Sequence, residues 1–454
     1  MPPGKDINLA DTEIATQCVR QLSAAGLSLT DGAVHLEAID LDQLAAKLGM
    51  PIYAYSSAAI VESYRSFATA VGEDVSICFA VKANGNLTIL TQLAKLGCGM
   101  DIVSGGELER ALAAGVSPLR IIFSGVGKTR EEITQALDAG IHQFNVESAS
   151  ELDLIADVAT GRSVRAPVAL RVNPDVDALT HDKISTGRKG DKFGIDLDHA
   201  YELYARAAAT ASLNPVGLAV HIGSQIMDLE PYRRAYTRIA KLAQQLRAGG
   251  YPVRRLDLGG GLGISYGHAT PPSLDSYASV IRDTVGGLCA ELAVEPGRRL
   301  IGEAGILLAQ VLHIKPTHDA DIVVIDAAMN DLARPALYGS LHPVTMLRPR
   351  PGPARPCRIV GPVCESADAF GLYTHLPALL PGDRIAFLYA GAYGAAMAST
   401  YNARPLVPEV LVDGSRYAII RRRQTVAEMM ALEADPRWRD MKLSDRSDLG
   451  AISA

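Results

Sequence analysis

The chain has 454 residues, 48% of them hydrophobic and 21% charged, with a formal net charge of -6 and a pI near 6.0. This is the composition of a globular protein with ample core, and it argues against a strongly basic surface for nucleic acid. No apolar run reaches the ~18 residues of a membrane span, and the opening MPPGKDINLADTEIATQ holds no apolar signal segment.

Six cysteines, Cys18, Cys78, Cys98, Cys289, Cys357 and Cys364, form no CxxC pair and no zinc-spaced cluster. A reduced, cytoplasmic location and no metal are the simplest expectations. The first ~30 residues match no motif. PIYAYS, 51–56, reads as a strand preceding the main pattern.

From residue 77 a rhythm begins. Eight short apolar runs appear at 77–82, 97–104, 120–125, 142–148, 167–174, 215–224, 254–261 and 292–300. Near-continuous apolar runs of this length fit parallel strands covered on both faces. Between the early ones, LTILTQLAKLG (87–97), SGGELERALAAG (104–115) and TREEITQALDAG (129–140) space apolar residues three or four apart and end in glycine. Eight such units predict a closed (β/α)8 barrel, with an open doubly wound sheet as the alternative. Beyond about residue 305 proline and glycine become frequent and the helical period fades. EVLVDGSRYAIIRRR places Asp-Gly between two β-rich runs, a hairpin signal. The expected division is an N-terminal segment, 1–49, packing on the β domain; a barrel, 50–305; and a mainly β domain, 306–454.

Barrel chemistry gathers at the C-terminal ends of the strands. Those ends carry Lys82, Ser104, Ser124, Glu147, Arg171 with Asn173, His221 with Ser224, Gly259 to Gly261, and Glu295 to Arg298. A serine there is ordinarily a turn or helix cap. Lys82 has two readings. One is a structural ion pair with a neighbouring strand-end carboxylate. The other is a reactive amine, because a lysine in a dry site shifts its pKa readily and forms Schiff bases. The run DLGGGLG offers backbone N–H groups to an anion, in a loop after the seventh strand, where barrels commonly bind phosphate. A tight turn needing positive φ is the plainer explanation, and Arg298 in the following EPGR weighs against it.

Two nucleotide motifs fail on inspection. GVGKT, 125–129, lacks the glycine a P-loop needs, since Ile122 stands there. GGGLG is not GxGxxG, because Ile264 and Tyr266 occupy the third glycine's places. A lysine, a phosphate cradle, a carboxylate and a flat histidine, His221, remain. These are the parts a pyridoxal 5'-phosphate site needs: an amine for the carbonyl, an anion site, and an acid for the ring nitrogen.

FAVKAN, HIGSQI, DLGGGLGI and EPGR resemble the fold-type III pyridoxal phosphate enzymes, an alanine racemase-like barrel followed by a β domain. HDKISTGRKGDKFGI (181–195), MNDLARPALYG (329–339) and GPVCESADAFG (361–371) are similar to the diaminopimelate decarboxylases within that group, and the resemblance runs from about 50 to 425. It implies decarboxylation of meso-2,6-diaminopimelate to L-lysine, the last step of lysine biosynthesis. It implies Lys82 as Schiff-base lysine and His221 stacked on the ring. Ser224, Gly259, Gly260, Gly261, Gly297 and Arg298 would surround the phosphate, with Glu295 at the ring nitrogen. Arg298, Arg334 and Tyr338 would take substrate carboxylate, Glu365 the distal ammonium, and Tyr393 both cofactor and substrate. Cys364 would donate the proton. Cys364 and Glu365 would reach a neighbouring subunit's site, which implies a homodimer.

Physical chemistry agrees with these assignments: an arginine fork suits carboxylate, a buried ammonium needs an anion, and a thiol near its reference pKa of ~8.5 is mostly protonated at neutral pH. Leu341 departs from the pattern, in SLHPV, where an aromatic residue is expected. The loop His181 to Lys192, rich in charge and glycine, is a candidate lid. The alternatives are a decarboxylase for another basic amino acid or a carboxy-polyamine, and a non-catalytic homologue that binds a partner protein.

Overall fold

The computed structural model describes residues 26–178, 186–188, 192–267, 269–288, 290–433 and 438. The candidate lid falls largely outside the described residues, as do the first 25 residues.

The described chain begins with three short antiparallel strands, β1 (Leu27–Thr30), β2 (Ala33–Leu36) and β3 (Ile39–Asp40). Asp40 caps the helix Leu41–Leu48 by accepting from the backbone N–H groups of Asp42 and Gln43. β4 (Ile52–Ser56) follows.

Among the described residues eight parallel strands then close on themselves. They are β5 (Val75–Ala80), β6 (Gly99–Ile102), β7 (Ile121–Phe123), β8 (Gln143–Val146), β9 (Ala166–Asn173), β11 (Leu213–Ala219), β12 (Arg255–Asp257) and β13 (Glu291–Val294). β13 pairs with β5 and β8 with β9, so the ring is a closed barrel and the open-sheet alternative is set aside. The short β10 (Ile195–Asp196) adds to β9. All eight apolar runs of the sequence became these strands. Phe79, Phe123 and Phe144 are fully buried, each worth roughly 1.5–3 kcal/mol of burial.

The helices between follow their caps. Asn86, Ser104 and Thr129 cap the helices Leu87–Lys95, Gly105–Ala113 and Arg130–Ala139, the last with a full capping box to Glu132. Ser104 is therefore the plain helix cap that strand-end serines usually are.

The second sheet is built from β14 (Gly305–Lys315), β15 (Asp321–Ile325), β16 (Val344–Met346), β17 (Cys357–Val360), β18 (Ala369–Tyr373), β19 (Arg384–Phe387), β20 (Glu409–Asp413) and β21 (Arg416–Arg421). Gly414 and Ser415 turn the predicted hairpin β20–β21. β4, which a boundary at residue 50 assigns to the barrel, instead lies between β14 and β20 in this sheet. Tyr53 donates to the Asp331 carbonyl at 2.7 Å and Tyr55 to Glu409 Oε2 at 2.6 Å, so its buried tyrosines find their polar partners only there. Residues 27–48 pack on the same domain: Val34 donates to the Leu347 carbonyl, and Arg348 and Arg384 both bind Asp42.

Candidate active site

β5 ends in a single 3-10 turn, Val81–Ala83, which sets Lys82 at the C-terminal mouth of the barrel. β5 pairs with β6 in register Ala80 to Asp101, and Lys82 Nζ meets Asp101 Oδ2 at 3.1 Å. The ion pair of the plainer reading is thus present. The lysine side chain as a whole remains 38% exposed. Burial alone would lower the Lys82 pKa, but the charge of Asp101, then of Tyr393 and Glu295, outweighs it and raises the pKa. Lys82 is an ammonium that must lose a proton before it attacks a carbonyl. Asp101 is fully buried and its Oδ1 has no hydrogen-bond partner. A cavity of about 630 Å³ leads from Lys82 past Glu107 to Ala395 and Glu409, at the junction with the second domain.

Behind the lysine the barrel interior is polar. Asn145 of β8 donates to Asp257 Oδ2 of β12 at 2.7 Å. These strands are not neighbours, so the bond crosses the barrel. Asn145 Nδ2 also lies 3.1 Å from Ser124 Oγ and 3.4 Å from Glu295 Oε1, and Ser124 Oγ lies 3.3 Å from the same Glu295 oxygen. Ser124 therefore does more than cap a turn. Burial, then the charges of Asp101 and Asp257, push the Glu295 carboxyl far above the usual carboxylate range.

His221 ends the next strand unit. Its Nδ1 accepts from the Gly260 N–H at 3.1 Å, and burial, then Arg171 and Lys82, hold its pKa well below the ordinary value. A neutral ring with the proton on Nε2 follows. The glycine run packs backbone to backbone. A Cβ on Gly259 would stand 2.2 Å from the Val220 carbonyl oxygen, and one on Gly260 2.0 Å from that of Glu295. Gly259 also takes a φ of 67°, as the turn reading expected. Backbone N–H groups facing an anion were expected from this run. Those of Gly259 and Gly260 are instead donated inside the protein, to Asp257 Oδ1 at 3.0 Å and to His221.

Arg298 and Arg334 come together from the two domains around one ring. Tyr266 lies 5.9 Å from the Arg298 guanidinium and 4.6 Å from that of Arg334. Arg298 donates to the Tyr266 hydroxyl at 2.6 Å and to Ser224 Oγ at 3.1 Å, and its Nε has no partner. Arg334 donates to His342 Nε2 at 2.9 Å and to Ser340 Oγ at 3.3 Å. His342 can accept because its Nδ1–H goes to the Leu388 carbonyl at 2.8 Å, and burial, then Arg334, push its pKa down to about 3. Tyr338 closes the helix Arg334–Tyr338 and acts electrostatically on both arginines. Tyr393, at a left-handed φ of 56°, donates its N–H to the Ala83 carbonyl beside Lys82, and its ring lies 4.8 Å from Arg298. Gly297 sits against Ala80 and Ala83. Leu341 packs over Gly371.

Cys364 and Glu365 differ. Both are exposed on a loop of the second domain. Glu365 accepts from the Tyr401 hydroxyl at 2.8 Å, and the Cys364 N–H reaches Asn402 Oδ1 at 3.4 Å. Neither forms a hydrogen bond to the Lys82 cluster among the described residues. Sequence reasoning missed Asp101, Asn145, Asp257, Tyr266 and His342. Tyr266 had been noted only for spoiling a glycine motif.

These residues fit pyridoxal phosphate. A partly exposed lysine side chain stands beside a buried carboxylate, an unpaired Arg298 Nε beside a serine hydroxyl, and an acid poised to hold a proton lies at the barrel centre. A barrel and β domain with this cluster fit the class of pyridoxal phosphate-dependent enzymes. Residues 57–302 match the family model for the pyridoxal-dependent decarboxylase, pyridoxal binding domain. The chain is 48% identical to the diaminopimelate decarboxylase of Pseudomonas aeruginosa over 408 residues, covering 90% of this chain and 98% of the relative. It is 46% identical to that of Zymomonas mobilis, covering 90% and 99%. Among solved structures, the Helicobacter pylori diaminopimelate decarboxylase complexed with L-lysine aligns with a TM-score of 0.83 at 41% identity, over 87% of this chain and 99% of that one. The M. jannaschii enzyme aligns with a TM-score of 0.86 at 37% identity, over 92% and 99%. The chain belongs to the diaminopimelate decarboxylase family.

Proposed function

We propose that the chain decarboxylates meso-2,6-diaminopimelate to L-lysine and carbon dioxide with pyridoxal 5'-phosphate. The observation that carries this reading is the pairing of Lys82 at the barrel mouth with Arg334, a second buried guanidinium beyond Arg298, in a chain 48% identical to a diaminopimelate decarboxylase. A substrate with a carboxylate at each end needs a cation for the carboxylate that stays. A simple diamine precursor does not, which disfavours the other basic amino acids.

The bound cofactor supplies an electron sink for the pair released when the carbon–carboxylate bond breaks. Lys82 would anchor it, with Asp101 holding the lysine in place by the ion pair. Ser224, Arg298, Gly297 and Gly261 would hold the phosphate, Gly259 and Gly260 would shape the loop through their close backbone packing, and neutral His221 would cover a ring face without adding charge. Glu295 meets the ring nitrogen. Arg298, Tyr338 and Tyr393 orient the substrate, and Arg334 binds its distal carboxylate with a guanidinium fixed by His342 and Ser340.

Cys364 of the partner subunit protonates the carbon, and Glu365 of the partner subunit takes the distal ammonium. Their exposure in a single chain supports a homodimer with shared sites. None of the described helices is long and apolar enough to cross a membrane, and a cytoplasmic location accords with the four described cysteines being free.

The test is incubation of the purified protein and pyridoxal phosphate with meso-diaminopimelate, ornithine, arginine and lysine in parallel. Carbon dioxide and L-lysine released from meso-diaminopimelate alone support the reading. Turnover of a different amino acid moves the substrate, and no carbon dioxide from any of them favours a non-catalytic homologue.

A further inference from the structure

β17 and β18 pair antiparallel, but the chain between them makes no tight turn. It runs out through residues 361–368, with Cys364 to Ala367 exposed. A projecting loop of this length keeps one shape only if something inside it replaces a core. Here a carboxylate does so. Asp368 is 3% exposed, and Val363 is buried with it.

Every polar group of Asp368 is used on this loop or its base. Oδ2 accepts from the Val363 N–H at 2.7 Å, immediately before Cys364. The Asp368 carbonyl accepts from the Gly361 N–H at 3.0 Å, which closes the loop. Its own N–H goes to the Glu365 carbonyl at 3.0 Å, and the Glu365 N–H to the Val363 carbonyl at 2.8 Å. Gly361 lies so near that a Cβ there would stand 2.4 Å from Oδ2. Oδ1 accepts from the Met329 N–H at 2.7 Å. Met329 opens the segment MNDLARPALYG, which carries Arg334. Short bonds from N–H groups to a buried carboxylate are of the strong kind. The contacts that Cys364 and Glu365 make outside the loop are weaker supports: a 3.4 Å approach to Asn402 and a hydroxyl bond from half-exposed Tyr401.

We propose that Asp368 is a positioning residue for the reaction, setting the Cys364 thiol and the Glu365 carboxylate in the geometry that the neighbouring subunit's site requires while touching no substrate itself. The inference rests on the reading that Cys364 and Glu365 serve that neighbouring site. One consequence separates this role from general support of the fold. A defect at Asp368 belongs to the partner's site, because the loop it shapes works there. The lysine site of the same chain stays intact.

The experiment uses Asp368→Asn in the cofactor-loaded, full-length protein. Asparagine keeps the shape but has one accepting oxygen, so the N–H of Val363 or of Met329 then faces an amide NH2. The kcat for meso-diaminopimelate is expected to fall by about 10²-fold, the scale of a misplaced catalytic group, with the cofactor absorbance unchanged. Dissociated Asp368→Asn subunits are then mixed with Lys82→Ala or with Cys364→Ala subunits. Random pairing with Lys82→Ala gives about a quarter of the sites an intact lysine and an intact loop, and activity is expected to climb toward that fraction of wild type. Pairing with Cys364→Ala creates no such site and gives no gain. Wild-type kcat in Asp368→Asn overturns the proposal, as does rescue by Cys364→Ala in place of Lys82→Ala, or rescue by neither while those two restore each other. Should Asp368→Asn not fold, Gly361→Ala, which crowds the carboxylate and keeps its charge, is judged by the same two mixtures. Failure of the underlying reading looks different, because Lys82→Ala and Cys364→Ala subunits would then not restore each other.

Discussion

The barrel mouth and the Cys364–Glu365 loop of the second domain are opposites. Around Lys82 and Glu295 the functional groups are buried or half-buried, and Asn145, Asp257 and Glu295 are held by partners from different strands. Asp101, Asn145, Asp257 and Glu295 come from four of them and meet inside the barrel. Cys364 and Glu365 are exposed, each anchored by one contact to the segment Tyr401–Asn402. On the proposed reading the cofactor end is complete within one chain, whereas the proton-donor end draws on a second.

The largest expected effect breaks the complete half. Lys82→Ala removes the nucleophile and abolishes turnover, measured as carbon dioxide release; retained cofactor-dependent activity contradicts the assignment. Next, Cys364→Ala removes a general acid and lowers kcat by about 10²–10⁴-fold, leaving the cofactor absorbance intact. Mixing dissociated Lys82→Ala and Cys364→Ala subunits sharpens the contrast. Random reassortment gives about a quarter of the sites both wild-type parts, so activity returns toward that fraction if sites are shared, and stays at background if each site draws on one chain.

A smaller effect tests the arginine that joins the two domains. Arg334→Lys keeps the charge but loses the fork, and kcat/KM for meso-diaminopimelate falls by roughly 10–100-fold. Cofactor affinity is unchanged in that variant. The smallest concerns His342. Unfolded, it binds a proton below pH ~6.5; folded, only near pH 3. In that window the unfolded state holds more protons, so stability falls as pH falls, by up to ~1.4 kcal/mol per unit. His342→Asn should flatten this acid limb in denaturant titrations across the window.

The barrel was legible because its strands are covered on both faces and so read as apolar runs. The glycine run and Lys82 were legible because each breaks the chemistry of its neighbourhood. Asp101, Asn145 and Asp257 were not. Each is a polar residue within a short strand, and its meaning appears only when strands distant in sequence converge across the barrel. β4 was hidden for the same reason. Its sequence says strand, but nothing local says that its partners lie some 250 and 350 residues away, at β14 and β20. Tyr266 and His342 act by holding arginines, a role with no spacing signature.

The most direct measurement is borohydride reduction of the cofactor-loaded protein followed by peptide mass mapping. The account predicts a pyridoxyl group on Lys82, in the peptide containing ICFAVKANGN. A label on another lysine, or none, would contradict it and leave Lys82 as the structural partner of Asp101.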